Sequence, residues 1–185
     1  HGHHRRQRQM CIRDRQNLPH NVMRFIDEAV IEISSGDGGN GCLSFRREKF
    51  IPKGGPDGGD GGKGGNINFI AKESLHTLQD FKLKRKYKAQ NGRQGKGKNM
   101  HGKDGEDTIL EVPLGTILIN DETDELLCDL TKSNQVYTAV TGGKGGLGNA
   151  RFKTSTNRAP RKITEGKLGE IVKICLLYTS DAADD

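Results

Sequence analysis

The window at residues 97–103 comes close to a phosphate-binding loop. It reads GKNMHGK, so Gly97, Gly102 and Lys103 have the spacing of the G-x-x-x-x-G-K-[ST] loop that cradles nucleotide phosphates. Asp104 follows, where that loop needs a Ser or Thr to bind magnesium, and its carboxylate would repel phosphate. The residues therefore predict no nucleotide site here. GTP binding by this window is the alternative, and a titration with GTP would decide between them.

The other catalytic patterns are also incomplete. Three windows, beginning at residues 36, 59 and 143, match G-x-G-x-x-G, but none is followed by the helix start that a dinucleotide site requires. His76 and His101 lie apart from any Ser or Cys nucleophile pattern. Asp57 and Asp60 are expected to form hydrogen bonds or ion pairs between glycine-rich segments. We predict no catalytic residue and no metal site.

Basic residues are segregated from acidic ones along the chain. Residues 82–103 contain nine basic residues and no acid, residues 151–162 contain five and no acid, and a third run lies within residues 46–53. Such clusters beside glycine-rich backbone suit a nucleic-acid phosphate backbone, because neutralised phosphates release counterions. Aromatic residues are few, so recognition of folded RNA by shape and charge is favoured over base stacking. The alternative is a solvated basic face without a ligand.

The glycines have a three-residue period. Residues 53–66 read KGGPDGGDGGKGGN, and the step recurs in residues 35–41, 91–107 and 141–149. A polyproline II helix has three residues per turn and no internal hydrogen bonds, so a glycine stripe would let such helices pack backbone to backbone. Flexible linkers are the alternative, but they need no register. We predict packed polyproline II helices and expect these stripe glycines to be structural: Gly55, Gly58, Gly61, Gly64, Gly142, Gly145 and Gly148.

Short apolar runs separate the glycine segments. Strands are predicted at residues 25–34, 66–71, 108–120, 126–130 and 135–140, with a hairpin turn at 121–125 and one helical turn within 73–81. No apolar run reaches the length of a membrane span, no signal peptide is visible, and the cysteines have no CxxC spacing. These features predict a mainly β protein of the reducing cytoplasm that has no membrane partner.

Both ends of the chain resemble translated sequencing adapter. One DNA segment, read on opposite strands, can encode residues 5–14 (RRQRQMCIRD) and residues 175–185 (CLLYTSDAADD). We therefore predict a non-native leader at 1–22, a natural domain at 23–172 beginning at Met23, and a tail at 173–185 where the natural chain is cut off near Ile174. These ends are excluded from the predicted fold.

Long motifs in the natural part resemble one protein family. The strings FIDEAVIEISSGDGGNGCLSFRREKFIPKGGPDGGDGGKGG, GKNMHGKDGED, VPLGT, GGKGGLGN and FKTSTNRAP resemble the amino-terminal domain of the Obg family of ribosome-associated GTPases. The resemblance implies the Obg fold, in which a glycine-rich lobe of polyproline II helices stands on a small β-barrel. It also implies a GTP-dependent role in assembly of the large ribosomal subunit and in stress control.

The resemblance also assigns partners and cofactors. The glycine lobe would dock on the RNA of the large subunit through Arg46, Arg47, Lys49, Lys53, Lys63, Lys96, Lys98, Lys103, Lys144, Arg151, Lys153, Arg158 and Arg161. The family's P-loop GTPase domain would follow Ile174, so GTP and Mg²⁺ are expected in the parent and no cofactor in this chain. A regulatory protein as the partner of the glycine lobe is the alternative.

Overall fold

The computed structural model describes residues 26–179, which contain eight strands, one short α-helix and one 3₁₀ helix. The predicted leader at 1–22 lies outside the described residues. The elements are β1 (Ile26–Ser34), β2 (Ile67–Lys72), α1 (Gln79–Leu83), β3 (Lys86–Lys88), β4 (Thr108–Pro113), β5 (Thr116–Asn120), β6 (Leu126–Leu130), β7 (Val136–Val140), the 3₁₀ helix (Asn149–Phe152) and β8 (Ile171–Thr179).

The strands form two sheets over one core. The larger sheet has the order β3-β1-β8-β5-β6 and the smaller has the order β4-β2-β7. In β2 alternating residues point inward, at Ile67, Phe69 and Ala71, and they join buried residues of β1, β5 and β8 in one apolar cluster. The predicted mainly β fold is confirmed. Among the described residues the two sheets face each other without closing into a continuous barrel.

Strand β8 extends past the predicted end of the domain. It pairs along its whole length with β1, from Ile171 opposite Ser34 to Thr179 opposite Ile26, and also with β5. Its residues 174–178 are buried in the sheet. The boundary predicted at residue 172 therefore lies inside a central strand, and residues 175–179 belong to the fold from which they were excluded. Their apolar character suffices to fill this position, and an adapter origin of the segment stays a prediction.

The glycine-rich residues form six extended segments, which we call a (35–42), b (54–66), c (90–96), d (101–107), e (141–149) and f (164–170). Hydrogen bonds join them at every third residue, which is the polyproline II period. Between a and b, the N–H groups of Gly36, Gly39 and Cys42 donate to the carbonyls of Gly65, Gly62 and Gly59 at 2.9, 2.8 and 3.0 Å. Segment a also bonds to c, e and f, and segment b bonds to c, d and e.

Each segment continues directly from or into a strand. Segments a, c and e run away from the sheets, and segments b, d and f return to them. The loops that connect outgoing and returning segments, residues 43–53, 97–100 and 150–163, therefore lie together at the end farthest from the sheets. We call these three loops the distal tip.

Candidate nucleic-acid interface

Close backbone contact in the bundle leaves no room for side chains at most stripe glycines. A methyl carbon added at Gly58, Gly61 or Gly64 would lie 1.9 Å from a carbonyl oxygen of segment a, and at Gly142, Gly145 or Gly148 it would lie 1.8–2.2 Å from one of segment b. Gly55 differs, because the nearest atom to an added carbon would be Lys153 Nζ at 3.6 Å. The expectation that Gly55 is packed like the other stripe glycines is thus wrong.

Polar side chains accept hydrogen bonds from backbone N–H groups that are not bonded to the backbone of a neighbouring segment. Asp60 Oδ1 accepts from the N–H of Gly148 at 2.9 Å, and Asn66 Oδ1 accepts from that of Gly142 at 2.7 Å. Asp60 Oδ2 also accepts from Arg151 Nε at 2.9 Å. Since a buried N–H without a partner costs about 1–3 kcal/mol, these acceptors are part of the bundle's stability. The prediction that Asp60 bonds between segments is confirmed.

The window that resembles a phosphate loop consists of a tight turn, residues 97–100, between segments c and d and the first three residues of d. Lys98 and Asn99 both have positive φ, 60° and 55°. Asp57 holds the turn, because its carboxylate accepts from the N–H of Lys98 at 3.0 Å and its carbonyl accepts from that of Asn99 at 2.7 Å. A phosphate cradle needs free N–H groups at the loop, and these two are already bonded. The structure thus supports the rejection of this window as a nucleotide site.

Asn149 is a buried polar residue that the sequence did not single out. Its side chain is fully buried, and Oδ1 accepts from the N–H groups of Gly58 at 2.9 Å and Ser44 at 3.3 Å. Its Nδ2 donates to the carbonyls of Ser44 at 2.9 Å and Pro160 at 3.2 Å. One amide thus connects segment b with two loops of the distal tip.

The distal tip carries a concentrated positive charge. Its three loops hold ten basic residues and one acid, Glu48, although the whole chain has a net charge of only +6. All thirteen predicted RNA-binding cations are exposed. Nine lie on the tip, namely Arg46, Arg47, Lys49, Lys53, Lys98, Arg151, Lys153, Arg158 and Arg161, and four lie along the lobe, namely Lys63, Lys96, Lys103 and Lys144.

Some of these cations already have carboxylate partners. Arg46 forms a two-point pair with Glu48 at 2.9 and 3.0 Å, and Lys103 contacts Glu106 at 3.1 Å. The hydrogen bonds from Arg46 lower the pKa of Glu48, so this acid stays ionised on the tip. Arg46, Lys103 and the Asp60 partner Arg151 are therefore less available to phosphate than the other cations are.

The basic run at residues 82–103 is divided by the fold. Its first part lies beside the sheets on α1 and β3, where Lys82 pairs with Asp27 and Lys86 lies 3.7 Å from Glu32. Only the part from Arg93 onward lies on the glycine lobe. This explains the absence of Lys82–Lys88 cations from the tip, which the linear run alone did not predict.

Two absences hold for the part of the chain that the structure describes. Residues 26–179 bring no three His, Cys, Asp or Glu side chains together in a way that could hold a metal ion. The same residues include no helix of the length and apolarity that a bilayer crossing requires.

A bundle of hydrogen-bonded glycine segments on two small sheets, with a cationic tip, defines a class of mainly β domain. The family profile described as GTP1/OBG matches residues 26–179. The chain belongs to this family and corresponds to the amino-terminal domain of its members, as the motifs predicted.

Curated relatives agree with this assignment. The chain is 60% identical over 148 residues to the GTPase Obg of Syntrophotalea carbinolica, which covers 80% of this chain and 42% of that protein. It is 59% identical over 147 residues to the GTPase Obg of Caldanaerobacter subterraneus, covering 80% and 35%. It is 53% identical over 148 residues to that of Thermodesulfovibrio yellowstonii, covering 80% and 44%. The chain thus spans less than half the length of these relatives.

Proposed function

We propose that this chain is the ribosome-docking domain of an Obg-type GTPase. In this proposal the distal tip enters the RNA of the large ribosomal subunit during its assembly or under stress, in the cytoplasm. Hydrolysis of GTP with Mg²⁺ would belong to the longer parent protein, and the chain described here would contribute binding without chemistry. The longer relatives with which it aligns carry the name GTPase Obg.

One observation carries the proposal. Three loops that are far apart in sequence meet at the end of a rigid bundle, and they bring ten basic residues together with one acid. Such a surface suits a dense array of phosphates, where each neutralised phosphate releases counterions and makes binding salt-dependent. The tight backbone packing beneath the tip fixes the positions of the loops, so little conformational freedom is lost on docking.

The test is co-sedimentation of the chain with purified large ribosomal subunits over a range of salt concentrations. We expect the logarithm of the binding constant to fall linearly with the logarithm of salt, and Lys98→Gln to lower that slope by about 1. Replacing Lys96, Lys98 and Lys103 together by Gln should weaken binding further. Lys132→Gln is the matched control, because Lys132 is exposed between β6 and β7 at the sheet end.

Unchanged binding of the triple variant would contradict the proposal that the tip and the adjoining part of the lobe bind the RNA. Binding that does not depend on salt would contradict RNA docking and favour a regulatory protein as the partner.

A further inference from the structure

We propose that the distal tip contains a site for one unpaired RNA nucleotide, whose base would enter a cavity between the first and third tip loops. This inference rests on the proposed function and makes it more specific, since general phosphate binding needs no cavity. It also adds base recognition to a surface for which the sequence predicted shape and charge alone.

The cavity lies between two loops that are distant in sequence. Leu43, Ser44, Phe45 and Arg47 line it from the first loop and Arg161 from the third, and its volume is about 440 Å³. Small-molecule sites span roughly 300–1,000 Å³, so the space suffices for a nucleotide. Leu43 is 48% exposed and Phe45 is half-buried, so these two residues add apolar surface to a mostly polar cavity that is open to solvent.

Two of the three tip arginines without a carboxylate partner in the described part of the chain line the cavity, and the third, Arg158, lies outside its lining. Arg46 and Arg151 are held by Glu48 and Asp60, whereas Arg47 and Arg161 form no ion pair with a carboxylate within residues 26–179. Their guanidinium groups are planar, and they can stack on a base or donate to its edge while they neutralise its phosphate. The structure therefore places two available arginines in the same lining as Leu43 and Phe45.

The cavity is preorganised by the buried amide of Asn149. This residue bonds to both backbone groups of Ser44 in one wall, and to the carbonyl of Pro160, which directly precedes Arg161 in the other wall. Asp57 also donates its N–H to the carbonyl of Ser44 at 2.9 Å. A site whose walls are fixed before the ligand arrives loses little entropy on binding.

An unpaired nucleotide fits these features better than a phosphate alone or a neutral or basic peptide does. A phosphate alone would gain nothing from Leu43 and Phe45, and a neutral or basic peptide would gain nothing from the cationic rim. Paired bases in an RNA helix are stacked and turned inward, whereas an unpaired base can be splayed out onto aromatic and arginine planes. The preferred target is thus a bulge or loop in folded RNA.

The experiment compares two fluorescently labelled RNA hairpins in binding to the full 185-residue chain. The hairpins have the same stem, and one carries a single-nucleotide bulge. Stacking of one base is worth about 1 kcal/mol or more, so the bulged hairpin should bind at least about fivefold more tightly. Arg161→Lys keeps the charge and removes the planar group, and it should reduce the ratio of the two affinities towards one.

Two control variants isolate the cavity. Arg158→Lys is the same change on the same loop outside the cavity lining, and it should keep the ratio. Lys132→Gln, at the sheet end, should alter neither affinity. Thermal melting of each variant checks that the fold is retained.

The outcomes separate this inference from the proposed function. Equal, salt-dependent binding of both hairpins by the wild-type chain would overturn the nucleotide site and leave RNA docking intact. A ratio that survives Arg161→Lys, or that Arg158→Lys lowers equally, would also overturn it. Competition by free GMP as strong as that by the bulged hairpin would show a mononucleotide site instead. The absence of salt-dependent binding to either hairpin would contradict both proposals.

Discussion

Replacing Gly61 by Ala should strongly destabilise the glycine lobe. The added carbon would lie 1.9 Å from the carbonyl oxygen of Gly39 and 2.3 Å from its carbonyl carbon, both in the backbone of segment a. Close C···O contacts in proteins lie at about 3.3–3.6 Å, so segments a and b must separate by roughly 1.4 Å. That movement breaks or weakens the 2.8 Å bond from the N–H of Gly39 to Gly62 and the 2.8 Å bond that Gly39 accepts from Gly146.

The size of the effect follows from these losses. Overpacking of a well-packed interior costs about 1–3 kcal/mol, and each net hydrogen bond contributes about 0.5–1.5 kcal/mol. The free energy of unfolding should therefore fall by about 2–6 kcal/mol. For a domain of this size, that corresponds to a Tm about 4–24 °C lower, which thermal unfolding followed by circular dichroism would measure.

Gly55→Ala is the matched control, because it belongs to the same three-residue stripe. Only Lys153 Nζ, at the end of a flexible side chain, lies within 4 Å of its added carbon, and Gly55 has no positive φ that would strain an alanine. Such a change at a compatible site is neutral or stabilises by about 0.4–1 kcal/mol. Equal Tm values for the two variants would refute packed segments and support a flexible linker.

Two further predictions concern single side chains. Asn149→Ala leaves the buried N–H of Gly58 and the carbonyl of Pro160 without this partner, and it should lower the free energy of unfolding in urea by about 3 kcal/mol. Asn157→Ala, on the exposed tip loop, is the control and should change the free energy of unfolding little. Similar losses for the two variants would contradict the role of Asn149. At Asp27, burial raises the pKa of the carboxyl, but hydrogen bonds from Lys82, Leu78 and Thr77 outweigh this effect and lower the pKa. The ionised form therefore stabilises the fold above the unfolded pKa of about 3.9. This contribution is lost as the pH falls from there through the lower pKa of the folded state. The stability difference between wild type and Asp27→Asn should thus narrow between pH 7 and pH 3, and a constant difference would refute this linkage.

Local patterns in the sequence predicted most of the elements. Alternating apolar residues located β1, β2, β6 and β7 to within about one residue and predicted β4 and β5 as one continuous run, and the glycine period predicted the polyproline II segments. Segment f was missed, although Gly166 and Gly169 have the same three-residue step, because it contains fewer glycines. Strand β3 has only three residues, which is too short for a periodic signal.

The set of residues that meet at the distal tip could not be predicted from local patterns, because it depends on contacts between segments that are distant in sequence. Ser44 and Pro160 meet at Asn149 only because segments b, e and f align their loops at one end of the bundle. The same alignment brings the basic runs of residues 46–53 and 151–162 together and leaves Lys82 and Lys86 beside the sheets. Sequence spacing identified which residues were basic, and the hydrogen bonds between segments determined which of them share a surface.

The direct continuation of all six segments into strands has a mechanical consequence. Within residues 26–179, bending at the junction between the lobe and the sheets would have to distort six backbones at once, so we expect the two parts to move as one body. A displacement of the tip must therefore reach β1 and β8 as a rotation of the whole body. Binding of a ligand at the tip would therefore change the orientation of the whole domain, and it would change the internal shape of the domain little.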